Sequence, residues 1–165
     1  MKRILLMLAM GLVFMVGNAQ VTSSDNQPQQ RRLIYCSCAY RTHGLPEGEI
    51  SYSFYALTAD IGIDPYVTYC EDRGKEPEKQ NFAATEADVE ALYNLIEQLE
   101  VKSLDGYNAT EEMPGATDYR VHVEWADGSK ATANWTNHGS NEKAATVYSS
   151  LKTKLSAIAD RKRKK

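Results

Sequence analysis

The segment that most limits the fold is residues 118–136, two alternating runs separated by Ala126-Asp127-Gly128. An Asp-Gly pair between alternating strands signals a hairpin, and the loop length decides which side chains face each other. A two-residue Asp127-Gly128 turn would set Val121 and Val123 opposite Asn134 and Thr132, mixing apolar with polar. A three-residue loop, with Gly128 in the left-handed conformation of a bulge, pairs Val123 with Ala131, Val121 with Ala133 and Tyr119 with Trp135. Glu124 then meets Lys130 on the other face, an opposite-charge pair. Only the second register gives two consistent faces, so it is the one expected.

Other segments fill in the frame. Residues 33–40 alternate, with Ile34, Cys36, Cys38 and Tyr40 on one face. Residues 50–57 alternate again, and Ile50, Tyr52, Phe54 and Ala56 read as the core face. A short third strand over residues 66–70 follows Asp64-Pro65, and the charged stretch 71–84, broken by Gly74 and Pro77, reads as a solvated loop. Thr85 with Asp88 resembles a capping box, opening a helix whose stripe is Val89, Leu92, Tyr93, Ile96 and Leu99. A last helix starts near Asn141 and carries Ala144, Val147, Tyr148, Leu151, Leu155 and Ile158. The expected class is α+β: a mainly antiparallel sheet in the order β-β-β-α-β-β-α, with both helices packed on one face.

Residues 1–19 read as a secretory signal. Lys2 and Arg3 precede an apolar run of 13 residues, and Gly17-Asn18-Ala19 has the small-x-small pattern of a cleavage site. That run falls short of the roughly 20 residues needed to span a bilayer, so no transmembrane segment is expected once the signal is removed. Residues 20–32 are polar and read as a flexible leader, 33–160 as a single domain and 161–165 as a basic tail. Over the whole chain 19 basic and 22 acidic residues give a net charge of −3. Between residues 20 and 160 the balance is 12 basic against 22 acidic, which makes the body strongly acidic and argues against nucleic acid as a partner.

Candidate chemistry is sparse. Three cysteines leave open a structural disulfide of Cys36 or Cys38 with Cys70, buried free thiols, or a metal or redox site. The Cys-x-Cys spacing on a strand fits neither zinc nor a redox helix, so no metal and no cofactor is expected. His43, His122 and His138 fall in a turn, on a strand and after a strand; His122 shares a charged face with Arg120 and Glu124, which reads as solvated surface. No nucleophile elbow, zinc helix or phosphate loop accompanies them, and no catalytic residue is assigned. Glu111, Glu112 and Asp118 form an acidic loop that could serve a carboxylate-dependent hydrolase, although acidic surfaces offer such pairs generally. Trp125, beside the hairpin turn, is the aromatic candidate for an exposed stacking platform, whereas Trp135 reads as core. Asn108 and Asn134 begin N-x-T sequons.

Thr85-Glu86-Ala87-Asp88, Leu104-Asp105-Gly106-Tyr107 and the aromatic strand 121–128 ending in Asp127-Gly128 occur in that order. This arrangement resembles a loose group of uncharacterised exported bacterial proteins with a signal peptide and a small α+β domain. The resemblance implies no activity, and the Asn-Ala-Gln signal ending implies a periplasmic or secreted location. The expected function is therefore an exported, non-enzymatic binding domain for a protein, peptide or surface glycan. The alternatives are a small hydrolase using the 105–118 acidic loop and a structural component of a cell-envelope assembly.

Overall fold

A computed structural model describes residues 32–45, 49, 51–73, 77–111, 113, 115–137 and 141–163. The segment read as a signal, the segment read as a leader up to residue 31, Ile50, Glu112, His138 and residues 164–165 lie outside the described residues.

The chain forms a two-layer α+β fold. Its strands are β1 (Leu33–Thr42), β2 (Tyr52–Thr58), β3 (Tyr66–Asp72), β4 (Glu78–Ala83), β5 (Asn108–Ala109), β6 (Thr117–Trp125) and β7 (Lys130–Thr136). The helices are α1 (Glu86–Gln98), followed by a single 3-10 turn (Val101–Leu104), and α2 (Glu142–Arg163). The sheet order is β4-β3-β2-β1-β6-β7-β5, antiparallel except for the short β5–β7 pairing. The sequence-based order lacked β4 and β5. β4 exposes five of its six residues and buries only Phe82, the pattern of a charged edge strand that sequence alone cannot separate from a loop. β5 is two residues of backbone pairing with no periodicity to read.

The hairpin adopts the expected register. Val123 pairs with Ala131, Val121 with Ala133, Tyr119 with Trp135 and Glu124 with Lys130. Trp125 N–H donates to Ser129 O at 2.9 Å and Gly128 N–H to Trp125 O at 2.9 Å, closing a three-residue loop with Gly128 at φ +79°. The capping box is also present: Asp88 N–H donates to Thr85 Oγ1 and Thr85 N–H to Asp88 Oδ2.

Both helices pack on the sheet face that carries Cys36, Cys38, Leu57, Val67, Phe82, Val121, Val123, Ala131, Ala133 and Trp135, forming one core with Leu92, Ile96, Leu151 and Leu155. This assignment corrects two expected faces. In β2 the core receives Tyr55 and Leu57, because Cys38 pairs with Tyr55 and Cys36 with Leu57. Tyr52, Phe54 and Ala56 therefore point to the opposite face, which is helix-free among the described residues. In β1 a bulge between Leu33 and Tyr35 swings Leu33, not Ile34, into the core beside Trp125.

The cysteine bridge is geometrically excluded. Cys70 pairs with Phe54, which pairs with Ala39, so Cys70 lies two strands from β1 and on the helix-free face, whereas Cys36 and Cys38 point into the core. Two strand spacings are about 10 Å, beyond the roughly 7 Å Cα limit for a disulfide. All three cysteines are free and buried. Burial pushes the Cys38 thiol up to about 12, with Lys152 pulling weakly the other way. Native protein treated with iodoacetamide at pH 8 is thus expected to leave Cys36 and Cys38 unmodified, while unfolding exposes three reactive thiols; a mass two units low for one bridge would contradict this topology.

The segment 161–165, read as a basic tail, is partly helical. α2 continues through Arg163, and Arg161 Nη2 donates to Asp88 Oδ1 at 2.7 Å, so this arginine is a tie between the two helices. No helix among the described residues is long and apolar enough to cross a membrane.

Candidate functional site

An antiparallel sheet covered on one face only presents alternate side chains of every strand on its other face. Here the register arranges them in rows across the strands. Tyr52, Arg41 and Asp118 form one row, and Phe54, Ala39, Arg120, Asn134 and Asn108 form the next. Adjacent members of a row stand about 5 Å apart. Ala39, the smallest of them, is flanked by Phe54 and Arg120 and forms a floor. The result is a depression of about 490 Å³ lined by Ala39, Arg41, Tyr52, Asn108, Thr110, Asp118, Arg120 and Asn134 among others. Its size lies within the roughly 300–1,000 Å³ of small-molecule sites.

The charge at this site is unusual for the molecule. Arg41 and Arg120 are both exposed, and neither takes part in an ion pair among the described residues. The Arg41 guanidinium lies 5.3 Å from the centroid of the Tyr52 ring. Stacking of that kind occupies the flat face of the cation and leaves its N–H edges for a ligand. Burial raises the Tyr52 hydroxyl above its ordinary range, and Cys70 adds to this, while Arg41 and Arg120 pull it back. Tyr52 is therefore a neutral donor. Asp118 is held from the loop side, where His43 Nε2 donates to its Oδ2 at 2.7 Å. The Thr110 hydroxyl donates to Asn108 Oδ1 at 3.1 Å, leaving the Asn108 amide N–H groups as donors.

The loops at this end of the sheet are tied together. His43 N–H donates to Ala116 O, and Thr42 and Thr117 share a hydroxyl hydrogen bond of 2.9 Å. They also carry two exposed apolar side chains, Leu45 and Met113.

Further along the same face, Glu124 Oε1 accepts from His122 Nε2 at 2.7 Å, and the Thr132 hydroxyl lies 2.7 Å from Nδ1. The order hydroxyl–imidazole–carboxylate matches a nucleophilic triad. However, Thr132 sits within β7 and its N–H is already donated to Asp105 Oδ1, so it is not free to stabilise an oxyanion. These bonds instead satisfy a histidine whose side chain is only 17 % exposed, where a solvated surface was expected.

Of the candidates named for a hydrolase or a stacking platform, Asp118 is the only described one in the depression; Glu112 lies outside the described residues. Glu111 is exposed but not among its described lining residues, and Asp105 is engaged by β7. The described lining thus supplies one carboxylate, not the facing pair a two-carboxylate hydrolase requires. Trp125 is fully buried, because the β1 bulge turns Leu33 toward it and the three-residue loop directs its ring inward, with Lys102 Nζ 4.4 Å from the ring centroid. A ring without an exposed face cannot stack on a ligand. The sequence reading missed Arg41 altogether and placed Arg120 on a solvated face. Among the described residues no cluster of His, Cys, Asp or Glu could hold a metal ion. The chain matches no protein-family model and no curated protein.

Proposed function

We propose that this chain is an exported binding domain that holds its ligand on the helix-free sheet face, in the depression between Arg41 and Arg120. In this reading residues 1–19 direct it to the periplasm or beyond, and the ligand is a peptide, a protein or a surface glycan. The observation that carries it is the pair of exposed guanidinium groups that make no ion pair among the described residues, close together in a concave site of an otherwise acidic domain. A guanidinium not engaged by a carboxylate keeps its paired N–H donors for one on a ligand.

The test is a binding screen on glycan and peptide arrays, run with wild type and with Arg41→Ala/Arg120→Ala. Wild type is expected to select a ligand set that the double variant loses at least tenfold, with both melting alike, since exposed substitutions shift stability by about 0.5 kcal/mol or less. Undiminished binding by the variant would remove the site from this face. Cleavage of a bound ligand that disappears in Asp118→Asn would favour the hydrolytic alternative instead.

A further inference from the structure

We infer that the ligand group received by this depression is a carboxylated sugar ring, a uronic-acid residue within a saccharide; the inference rests on the binding function proposed above. Three features separate this class from other anions.

The first is the backbone. β1 and β6 are interior strands, and at the depression the outer edge of β7 is paired with β5 through Asn134 and Trp135. Their main-chain groups are spent in the ladders, so the floor offers side chains alone. An extended peptide recognised by sheets gains its affinity from main-chain bonds to a free edge, and at this place it would leave its own amides unpaired.

The second is the mixture of polar groups. The Arg41 and Arg120 guanidinium groups donate only, Asp118 accepts only, and the amides of Asn108 and Asn134 do both. A carboxylate satisfies a guanidinium with two parallel bonds. Asp118 then calls for a ligand hydroxyl that donates. A sugar acid carries both kinds of group on one ring, whereas a sulfate ion brings acceptors alone, which Asp118 repels, and a hydrogen phosphate has no ring to fill the depression.

The third is the field of the whole domain. Ten surplus acidic charges over residues 20–160 oppose a polyanion at long range, while a single carboxylate is held by the two nearby cations. The depression, at about 490 Å³, is also far larger than one inorganic ion fills.

The experiment is calorimetric titration of the purified protein with uronic trisaccharides that each carry a single galacturonic, glucuronic or mannuronic acid ring on two neutral sugars. Their carboxyl-reduced neutral counterparts, a triglutamate peptide and inorganic phosphate serve as the other arms. At least one uronic trisaccharide is expected to bind, and its reduced counterpart to bind at least tenfold more weakly. Peptide and phosphate are expected not to compete. Arg120→Gln is expected to weaken binding about tenfold and Arg120→Lys to restore little of it, because an ammonium cannot make the paired bonds of a guanidinium. Ala39→Phe, which raises the floor without changing charge, is expected to abolish binding while the circular dichroism spectrum stays native. Equal affinity for the neutral counterparts, or triglutamate bound through Arg41 and Arg120, would overturn the sugar-acid assignment and leave the binding function standing. No binding by any uronic trisaccharide would also overturn the assignment, and the array screen then decides separately whether the binding function falls with it.

Discussion

Replacing Trp135 with alanine is expected to destabilise the fold by about 4 kcal/mol, as large aromatic truncations in well-packed cores do. The indole is 1 % exposed and stands where four elements meet. It stacks on Tyr119 of β6 with centroids 5.8 Å apart, meets Tyr148 of α2 edge-on at 6.3 Å, and touches Tyr107, just before β5, at 6.3 Å. Tyr148 closes the group against Tyr119 at 5.0 Å. The cavity left by alanine would be lined by rings anchored on separate elements, which cannot all collapse into it. Urea unfolding should show a lowered midpoint at an unchanged slope; a loss below about 1 kcal/mol would mean the cluster is loosely packed. Trp125 provides the contrast. It is equally buried, but its indole N–H has no hydrogen-bond partner among the described residues. Phenylalanine at Trp125 removes an unpaired donor, whose burial costs about 1–3 kcal/mol, and should therefore cost less than phenylalanine at Trp135.

Asp88→Ala is expected to cost about 2–3 kcal/mol, by removing a helix cap and a charge-assisted hydrogen bond together. The carboxylate accepts from Thr85 N–H at 3.0 Å and from the Thr85 hydroxyl at 2.8 Å on one oxygen, and from Arg161 at 2.7 Å on the other. It thereby ties the start of α1 to the last turns of α2, elements separated by most of the domain in sequence. Burial pushes this carboxyl upward, but the hydrogen bonds from Arg161 and Thr85 outweigh it and hold it below its usual value. The sign of the pH dependence follows. Its contribution is complete above the range where an unfolded aspartate titrates, about pH 4, and is lost as pH falls through the lower folded value. Wild type and Asp88→Asn should therefore differ most at neutral pH and converge in acid. A difference that grows toward low pH would contradict the tie.

Local chemistry was legible in the sequence, and long-range pairing was not. The hairpin register could be read because its loop and both its faces lie within residues 118–136. The capping box could be read because Thr85 and Asp88 are three residues apart. The face of β2 could not. Tyr52, Phe54 and Ala56 alternate with Ser53, Tyr55 and Leu57, so both faces are aromatic, and the decision belongs to its pairing with Cys36 and Cys38 of β1. That ambiguity itself pointed to the site, since a strand apolar on both faces carries aromatic groups to the side no helix covers. Arg120 read as an ordinary solvated charge and Arg41 drew no reading at all, because the two are 79 residues apart in sequence. Only the β1–β6 register, which sets Arg41 opposite Asp118 and Ala39 opposite Arg120, makes them neighbours. Trp125 was misjudged for a related reason: closeness to a turn suggests exposure, and the β1 bulge that encloses it leaves no mark in local periodicity.

The most direct test of the account is where a ligand lands. Backbone amide resonances of isotope-labelled protein, followed as the strongest array ligand is added, locate the contact without assuming its chemistry. Shifts concentrated on Ala39, Arg41, Arg120 and Asn134 are the predicted result. Shifts confined to α1, α2 or the outer strand β4, with these four unmoved, would contradict the assignment of function to the helix-free face.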